Sequence, residues 1–450
     1  MARAKKETAL TPEERLQAAL VPDWEWPYKL PGNWCWTYLT KAAECLDNFR
    51  KPINATERAG RNGNVPYYGA TGQVGWIDDF LTDEDLVLLG EDGAPFLDLI
   101  KDKAYLITGK AWVNNHAHIL RSLFGDTGNR YLLHYLNSFN YAGYVNGTTR
   151  LKLTRASMDT IPIPIPPLAE QQRIVGRIES LFAKLDEAKE KAQAVVDSFE
   201  TRKAAILHKA FTGELTAKWR EEHNISKTTW DEKKWGDFLQ SIEAGKNWSA
   251  EGRPPEGTEF GVVKVSAVTW GEFDELESKT CVVAEQWNSK TQIHKGDFLF
   301  SRANTLQLVG NCVIVRNISK RLMLSDKILR FKFDEIAHPR FVLYFTRSRI
   351  YREQVEQLAS GNQDGMRNIS QKNLKLVFFP IPTVVEQIEI ISILDRAFAK
   401  EQQAKEAAEA VLDQIDLMKK SILARAFRGE LGTNDPSEES AVGLLEKSIS

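Results

Sequence analysis

Apolar residues at Ile174, Ile178, Leu181, Leu185, Ala188, Ala192, Val195 and Phe199 recur at alternating steps of four and three. That spacing is the inward seam of a helix that packs along a second helix, as in a coiled coil. The same register returns at Ile390, Leu394, Ala397, Glu401, Ala404, Ala408, Val411 and Ile415, with Glu401 as a charged interruption suited to fixing register. Prolines stand before each helix, at Pro164, Pro166 and Pro167 and again at Pro380 and Pro382. They are expected to stop the preceding strand or loop and set the approach angle, because none fits inside a helix. Gly213 and Gly429 fall where a C-terminal cap is expected. Each helix then runs about 40 residues, roughly 60 Å at 1.5 Å per residue. A polar-faced helix that long has too narrow an apolar stripe to stand alone, so the two are expected to pair.

The two stretches are copies. An offset of 216 aligns them without a gap, placing Pro164-Ile165-Pro166 on Pro380-Ile381-Pro382 and Glu170-Gln171 on Glu386-Gln387. It also places Phe182-Ala183-Lys184 on Phe398-Ala399-Lys400 and Gly213-Glu214-Leu215 on Gly429-Glu430-Leu431. A period this long, present twice, is a duplicated domain-plus-helix unit and not a solenoid. The chain divides accordingly into a head (1–153), a helical region (154–224), a second head (225–369) and a second helical region (370–450). Each head opens on a Trp-rich stretch, NWCWTYL from Asn33 and KKWGDFL from Lys233. Gly-punctuated short strands follow (VPYYGATGQVGWI, FGVVKVSAVTWG), then a helical run (RYLLHYLNSF, PRFVLYFTRSRIYREQVEQL). The heads otherwise differ, so the rods are expected to set geometry and the heads to carry different specificities.

Composition narrows the class without changing this layout. Apolar residues make up 42% and charged residues 27% of 450 positions. No apolar run approaches the roughly 20 residues of a membrane span, and no signal peptide is apparent, so a cytoplasmic protein is expected. Cys35, Cys45, Cys281 and Cys312 are scattered, supporting neither a disulfide framework nor a zinc site. The net charge of -2 alone argues against a nucleic-acid partner. Locally, however, 295–352 holds twelve Lys or Arg against four acids, while 78–102 holds nine acids against one Lys. A basic face can therefore exist on a neutral chain.

The signatures IPIPPLAEQ and AFTGEL, their second copies, and the head motifs GEDGA from Gly90, GKAWVNNHAHIL from Gly109 and GDFLFSRANTLQLVG from Gly296 complete the pattern. With them the chain resembles, over nearly its full length, the DNA specificity subunits of Type I restriction-modification enzymes. The resemblance implies an α+β fold with pseudo-twofold duplication. Two mixed α/β target-recognition domains would be separated by an antiparallel coiled coil of two long helices. It also implies a non-catalytic reader of double-stranded DNA that recognises two half-sites across a fixed spacer. Partners would be two modification (methyltransferase) subunits, which bind S-adenosylmethionine, and two restriction subunits, which use ATP and Mg2+. No cofactor or metal is expected in this chain. Val384-Val385 in place of Leu168-Ala169, and Glu401 in the seam, depart from the repeat.

Residue chemistry suggests where DNA would be read. In the first head, Tyr67, Tyr68, Thr71 and Gln73 lie on an expected loop, with Gln suited to adenine. A plain strand-turn-strand with both tyrosines in the core fits the same residues. Lys110, Asn114, Asn115, His116 and His118 form a second group; the two His at i and i+2 have no Cys or acid at fitting spacing for a metal, and the group reads as polar DNA contacts or as a buried turn held by the Asn side chains. The acidic run 78–102 would repel phosphate and is expected to be solvated, away from DNA. In the second head, Ser301, Arg302, Asn304, Thr305 and Gln307 share one stretch, Lys327 and Arg330 follow, and Arg367 sits in a loop with glycines at 361 and 365. Arg pairs with guanine and Asn or Gln with adenine, because each matches two groove atoms at once.

Enzymatic motifs are missing. The Pro-Pro pairs at 166–167 and 254–255 are followed by Leu and Glu, not by the aromatic residue of an amino-methyltransferase motif. No GxxxxGK[ST] phosphate loop occurs. Two alternatives stay open: a coiled-coil scaffold joining two protein-binding heads, and a specificity subunit of another methylation-based defence system.

Overall fold

The computed structural model describes residues 11–226, 230–363 and 366–449. By contacts these fall into two compact units, Met1–Gln193 with Glu409–Ser450, and Ala194–Ala408. The architecture of each is mixed α and β.

In the first unit, one four-stranded sheet orders Ala43–Cys45, Ala117–Ser122, Leu86–Gly90 and Ala104–Ile107, and a second orders Gly72–Ile77, Val65–Gly69, Lys110–Val113 and Thr82–Asp83. The Leu86–Gly90 strand is buried along its whole length, as its unbroken Leu-Val-Leu-Leu run dictates. The proline ladder both forms a strand and ends it: Pro162–Ile165 pairs antiparallel with Cys35–Tyr38, and Pro166 and Pro167 stop that strand before the helix that starts at Leu168, as expected. Pro tolerates such a two-stranded edge because its missing N–H leaves no ladder donor unpaired. The intervening Ile163 and Ile165 fill the core. In the second unit Phe378–Ile381 pairs in the same way with Asp231–Lys234. Two further four-stranded sheets and one of three strands complete that head.

The long helices are present, with one correction. The first runs Leu168–Asp197, is interrupted at Ser198, and resumes as Phe199–Phe211, whereas the second is continuous over Val384–Phe427. At the break Ser198 Oγ donates back to the Ala194 carbonyl and also accepts from Arg202, so local side-chain bonds compete with the helical ladder. Of the expected seam, Ile174, Ile178, Ala192, Phe199, Ile390, Leu394, Ala408 and Ile415 are buried. Val411 is exposed, and Leu412 takes the more inward place beside it. In the first unit Lys189 meets Asp416 at 3.3 Å and Lys419 meets Asp186 at 2.5 Å. In the second, Glu401 accepts from Arg202 Nε at 2.7 Å, so the charged seam position has a partner.

The contacts that fasten each head to its helix recur. Arg130 of the Gly125–Ser138 helix pairs with Glu179 at 2.8 Å, and Arg340 of the Pro339–Phe345 helix pairs with Asp395 at 2.6 Å. The His134 ring lies edge-on to Phe182 at 5.8 Å, and the Tyr344 ring edge-on to Phe398 at 5.7 Å. Gln171 Nε2 donates to the Pro166 carbonyl at 3.1 Å, and Gln387 Nε2 to the Pro382 carbonyl at 2.9 Å. The glutamate before each glutamine is buried. Glu170 accepts from Thr433 Oγ1 at 2.6 Å and Arg173 Nε at 2.9 Å, and burial pushes its carboxyl above the usual range. Glu386 accepts from Thr216 Oγ1 at 2.6 Å, Arg220 Nη1 at 2.6 Å and Trp230 Nε1 at 3.0 Å.

Two predictions follow from these contacts. Glu386→Ala strands the buried Arg220 guanidinium, which should cost about 3–5 kcal/mol, the usual penalty for breaking a buried pair. Denaturant unfolding should show the loss in the second unit's transition, and an unchanged midpoint would refute it. His134 carries the pH prediction. Burial holds its imidazole down to about 4, against 6.5 in an open chain. The unfolded state therefore takes up a proton that the folded state refuses, and the first unit loses stability as pH falls from 6.5 toward 4. Replacing His134 by Phe should remove that part of the acid sensitivity, measured by urea unfolding at pH 7 and pH 5.

Candidate nucleic-acid interface

In the first head the two sequence-predicted groups converge. Val65–Gly69 and Gly72–Ile77 form a hairpin whose tip, Ala70 and Thr71, is followed by Gly72 at φ 137°. That conformation suits glycine, and it lets the turn close in two residues. Beside the tip lies the turn after Lys110–Val113, where the Asn114 backbone N–H donates to the Tyr68 carbonyl at 3.1 Å. Asn114 Oδ1 accepts the His116 N–H at 2.8 Å, so the Asn side chain shapes the turn. Together Thr71, Asn114 and His116 line an open cavity of about 530 Å³.

Two residues outside the sequence-predicted set complete this cavity. Asp92 Oδ1 pairs with His116 Nδ1 at 3.0 Å and with Arg150. Gly93 has φ 77°, and a Cβ there would approach the Arg150 guanidinium to 3.2 Å. The GEDGA motif was the available signal for both glycine and acid. The expectation that the acidic run is solvated holds for Asp78, Asp79, Asp83 and Asp85, which are exposed, and is corrected for Glu91 and Asp92. Asp92 is part of the candidate site, and Glu91 is tied to Arg50 and to Lys152 at 3.0 Å.

Other predicted residues are not gathered here. Tyr67 is in the core, with its hydroxyl on the Ile53 backbone, which settles the two readings of that strand against a DNA contact by Tyr67. Tyr68 is half-buried against Tyr105 at 5.8 Å. Gln73 and Asn115 are exposed, Gln73 folding its amide onto the Gly75 carbonyl at 3.1 Å. Lys110 lies at the opposite end of its strand from Asn114, in register with Asp83 and with its ammonium 4.5 Å from the Phe80 ring.

In the second head three stretches meet. Ala303–Asn304 pairs antiparallel with Met366–Asn368, setting Asn304 opposite Arg367. The Arg302 N–H donates to the Lys327 carbonyl at 3.0 Å, which brings the third stretch alongside. Asn304 Nδ2 reaches Thr269 Oγ1 at 3.3 Å, and its Oδ1 accepts the Thr305 N–H at 2.9 Å. Gln307 is exposed, while its carbonyl is held by Arg352 at 3.1 Å. Next to Thr269, Trp270 is 77% exposed, a residue the motif reading passed over. The loop residues Asp364 and Gly365 lie outside the described set.

Two predicted contacts are overturned. Ser301 is fully buried on its strand. Arg330 is 6% exposed, and its guanidinium is consumed internally. It donates to Glu243 at 2.9 Å, to Asp297 at 2.9 Å, and to the Gln292 and Lys290 carbonyls at 2.6 and 2.7 Å. Sequence spacing placed Arg330 in a basic segment but could not see its acidic cage.

One ligand-like grouping exists among the described residues: Cys45, Asp47 and His118, with ligand atoms within 4.8 Å of one another. Its ring nitrogens and carboxylate are already engaged in hydrogen bonds within the protein. His118 Nδ1 is hydrogen-bonded to Asp47 at 2.6 Å and Nε2 faces the Leu153 carbonyl at 3.0 Å, so neither ring nitrogen is open. Burial also pushes the Cys45 thiol up to about 12, keeping it from acting as a thiolate ligand. No described helix is long and apolar enough to cross a membrane.

Comparison with known proteins follows the two-headed layout. Residues 46–196 and 227–410 match the family model described as Type I restriction modification DNA specificity domain. The chain is 28% identical over 334 residues to the Type I restriction enzyme EcoKI specificity subunit of Escherichia coli (strain K12), covering 70% of each. A putative type I restriction enzyme specificity subunit of Haemophilus influenzae, S.HindORF215P, is 37% identical over 145 residues, 32% of this chain and 36% of that one. In fold, the HsdS subunit from Thermoanaerobacter tengcongensis superposes with a TM-score of 0.58 at 18% identity, covering 90% of this chain and all of that one. With the matched segments covering most of both heads, the chain belongs to the Type I restriction modification DNA specificity family.

Proposed function

We propose that this chain is the sequence-specific DNA-binding subunit of a Type I restriction-modification complex, reading one half-site with each head and recruiting catalytic partners. The observation that carries this reading is the pairing of sameness and difference. Each head helix is fastened by the same Arg–carboxylate and ring–Phe contacts, while the loops presented differ in chemistry. The first offers Thr71, Asn114, His116 and Arg150. The second offers Arg302, Asn304, Thr305, Gln307, Lys327 and Arg367. Such donors and acceptors suit base edges in a major groove, with neighbouring cations placed for phosphate.

The long helices are read as an antiparallel coiled coil. Support comes from each unit separately: partner numbers fall as numbers rise between Lys189–Asp416 and Asp186–Lys419, and again between Phe199–Lys405 and Arg202–Glu401. The recurring Glu-Gln anchors and head contacts support pseudo-twofold duplication, with domain borders at 153/154, 224/225 and 369/370. Recruited partners are two modification subunits, which bring S-adenosylmethionine, and two restriction subunits, which bring ATP and Mg2+. This chain contributes positioning, in the cytoplasm, and no chemical step.

The test contrasts two arginines. Arg302→Ala should weaken specific DNA binding by about 1–3 kcal/mol if it reads a base, or lower the salt slope by about one if it holds a phosphate, with unfolding unchanged. Arg330→Ala should instead destabilise the second unit by about 3–5 kcal/mol through the unpaired acids it leaves, with DNA affinity per folded molecule intact. Salt-titrated binding and denaturant unfolding check both. DNA binding insensitive to salt, or to Arg302→Ala, would count against the reading.

A further inference from the structure

The two heads share one strand plan. In the first, Val65–Gly69 pairs antiparallel with Gly72–Ile77 and parallel with Lys110–Val113. In the second, Phe260–Val263 pairs antiparallel with Ser278–Cys281 and parallel with Arg321–Met323. The neighbouring antiparallel sheets agree too: Ala43–Cys45, Ala117–Ser122, Leu86–Gly90 and Ala104–Ile107 stand in the same order as Leu239–Ala244, Ile328–Phe333, Phe298–Ser301 and Cys312–Ile314. Matching strand to strand makes three connections equivalent. The stretch after Leu86–Gly90, with Asp92 and Gly93, corresponds to that after Phe298–Ser301, with Arg302 and Asn304. The turn of Asn114 and His116 corresponds to that of Lys327, and the hairpin tip, Ala70 and Thr71, corresponds to the connection 264–277.

In the first head these three connections line the candidate reading cavity. In the second head the place of the hairpin tip is taken by the connection 264–277, which presents Trp270, 77% exposed. The backbone around Trp270 is fixed. The Thr269 carbonyl accepts from Asn311 Nδ2 at 2.8 Å, the Thr269 hydroxyl from Asn304 Nδ2 at 3.3 Å, and the Gly271 carbonyl from Arg347 Nη2 at 2.8 Å. Just before them, Ala267 and Val268 are in the core. Exposure alone marks nothing, because single apolar residues are common on surfaces; Trp24, 82% exposed, stands in a turn ahead of the strand plan. What distinguishes Trp270 is a rigid mounting beside Asn304, at the position where the first head carries Thr71.

We infer that Trp270 is a DNA-contacting residue of the second head, its indole stacking on a base of the half-site that this head reads. The inference rests on the proposed function and adds a contact of a different kind. An uncharged ring does not suit phosphate, but it suits the face of any base, so it contributes affinity and leaves base identity to Arg302 and Asn304. Arg316 and Arg349, both exposed, line a cavity with Trp270 and suit the adjoining phosphates. A base offered to the indole must give up part of its own stack, as at steps opened by apolar wedges. Thr71, a hydroxyl at the same place, makes no such demand, so the distortion belongs to the second half-site.

The experiment uses full-length chain with its methyltransferase subunit and a duplex carrying the sequence that the complex methylates. Affinity is titrated against salt, and pyrimidines are replaced one at a time by their 5-iodo forms, which cross-link to a stacked aromatic ring on irradiation. Trp270→Ala and Trp270→Leu should each weaken binding about tenfold or more, with the salt slope unchanged because an uncharged ring releases no counterion. Trp270→Phe should keep most of the affinity and Trp24→Ala all of it. Unfolding midpoints should stay at the wild-type value in every variant. The cross-linked peptide should contain Trp270, and its base should lie in the half-site that Asn304→Ala relaxes. Trp270→Ala binding like wild type would overturn the inference, and so would Trp270→Leu binding as well as Trp270→Phe, since apolar bulk would then suffice. A cross-link to Trp270 from the other half-site, or from no position, would overturn it too. A wild-type complex without preference for the target duplex would instead bring down the DNA-reading function itself.

Discussion

A buried carboxylate at the first turn of a long helix is the constraint on which each unit depends. Removed from water, Glu170 and Glu386 must be supplied with donors, or they would cost several kcal/mol each. The donors arrive from chain that is remote in sequence: Thr433 for Glu170, and Thr216, Arg220 and Trp230 for Glu386. In each unit these groups lie beyond the Gly-Glu-Leu segment that ends the other long helix. Satisfying the glutamate therefore ties the start of one helix to the end of its partner. The adjacent glutamine then ties that start to the proline strand, through Pro166 or Pro382. Tyr131 extends the bracing to the head by donating to the Pro164 carbonyl at 2.8 Å.

With the frame closed this way, the heads are free to vary. Their fastening uses few residues, an Arg on an acid and a ring on a Phe, all on the side that faces the helix. Loops on the hairpin tip or after Ser301 take no part in that fastening. Their chemistry can change without disturbing the core, which is the property a family of DNA readers with different targets needs.

Periodicity and repetition were strong signals because they report on many residues at once. The seam from Ile174 to Phe199, the Glu-Gln anchors and the glycine caps were all legible in the sequence, and Gly213 and Gly429 do have positive φ. Single-residue effects were not. Ser198 interrupts a helix where its hydroxyl shares the Ala194 carbonyl with the backbone. Pro162 and Pro164 form a strand because Cys35–Tyr38 happens to offer an edge. Arg330 stands in a basic segment of the sequence, whereas Glu243 and Asp297, which enclose its guanidinium, are distant along the chain. Asp92 and Arg150 were missed for the converse reason, since their pairing across 58 positions leaves no spacing signal.

The account stands on two heads reading independently from a common frame. The most direct measurement is methylation-aware sequencing of host DNA carrying this chain with its partners. Thr71 and Gln73 are replaced by Ala in one strain, Asn304 and Gln307 in another. The account predicts that the first strain relaxes one half of the methylated sequence and the second strain the other half, with the spacer unchanged in both. If either pair of substitutions altered both halves together, the two-reader account would be contradicted.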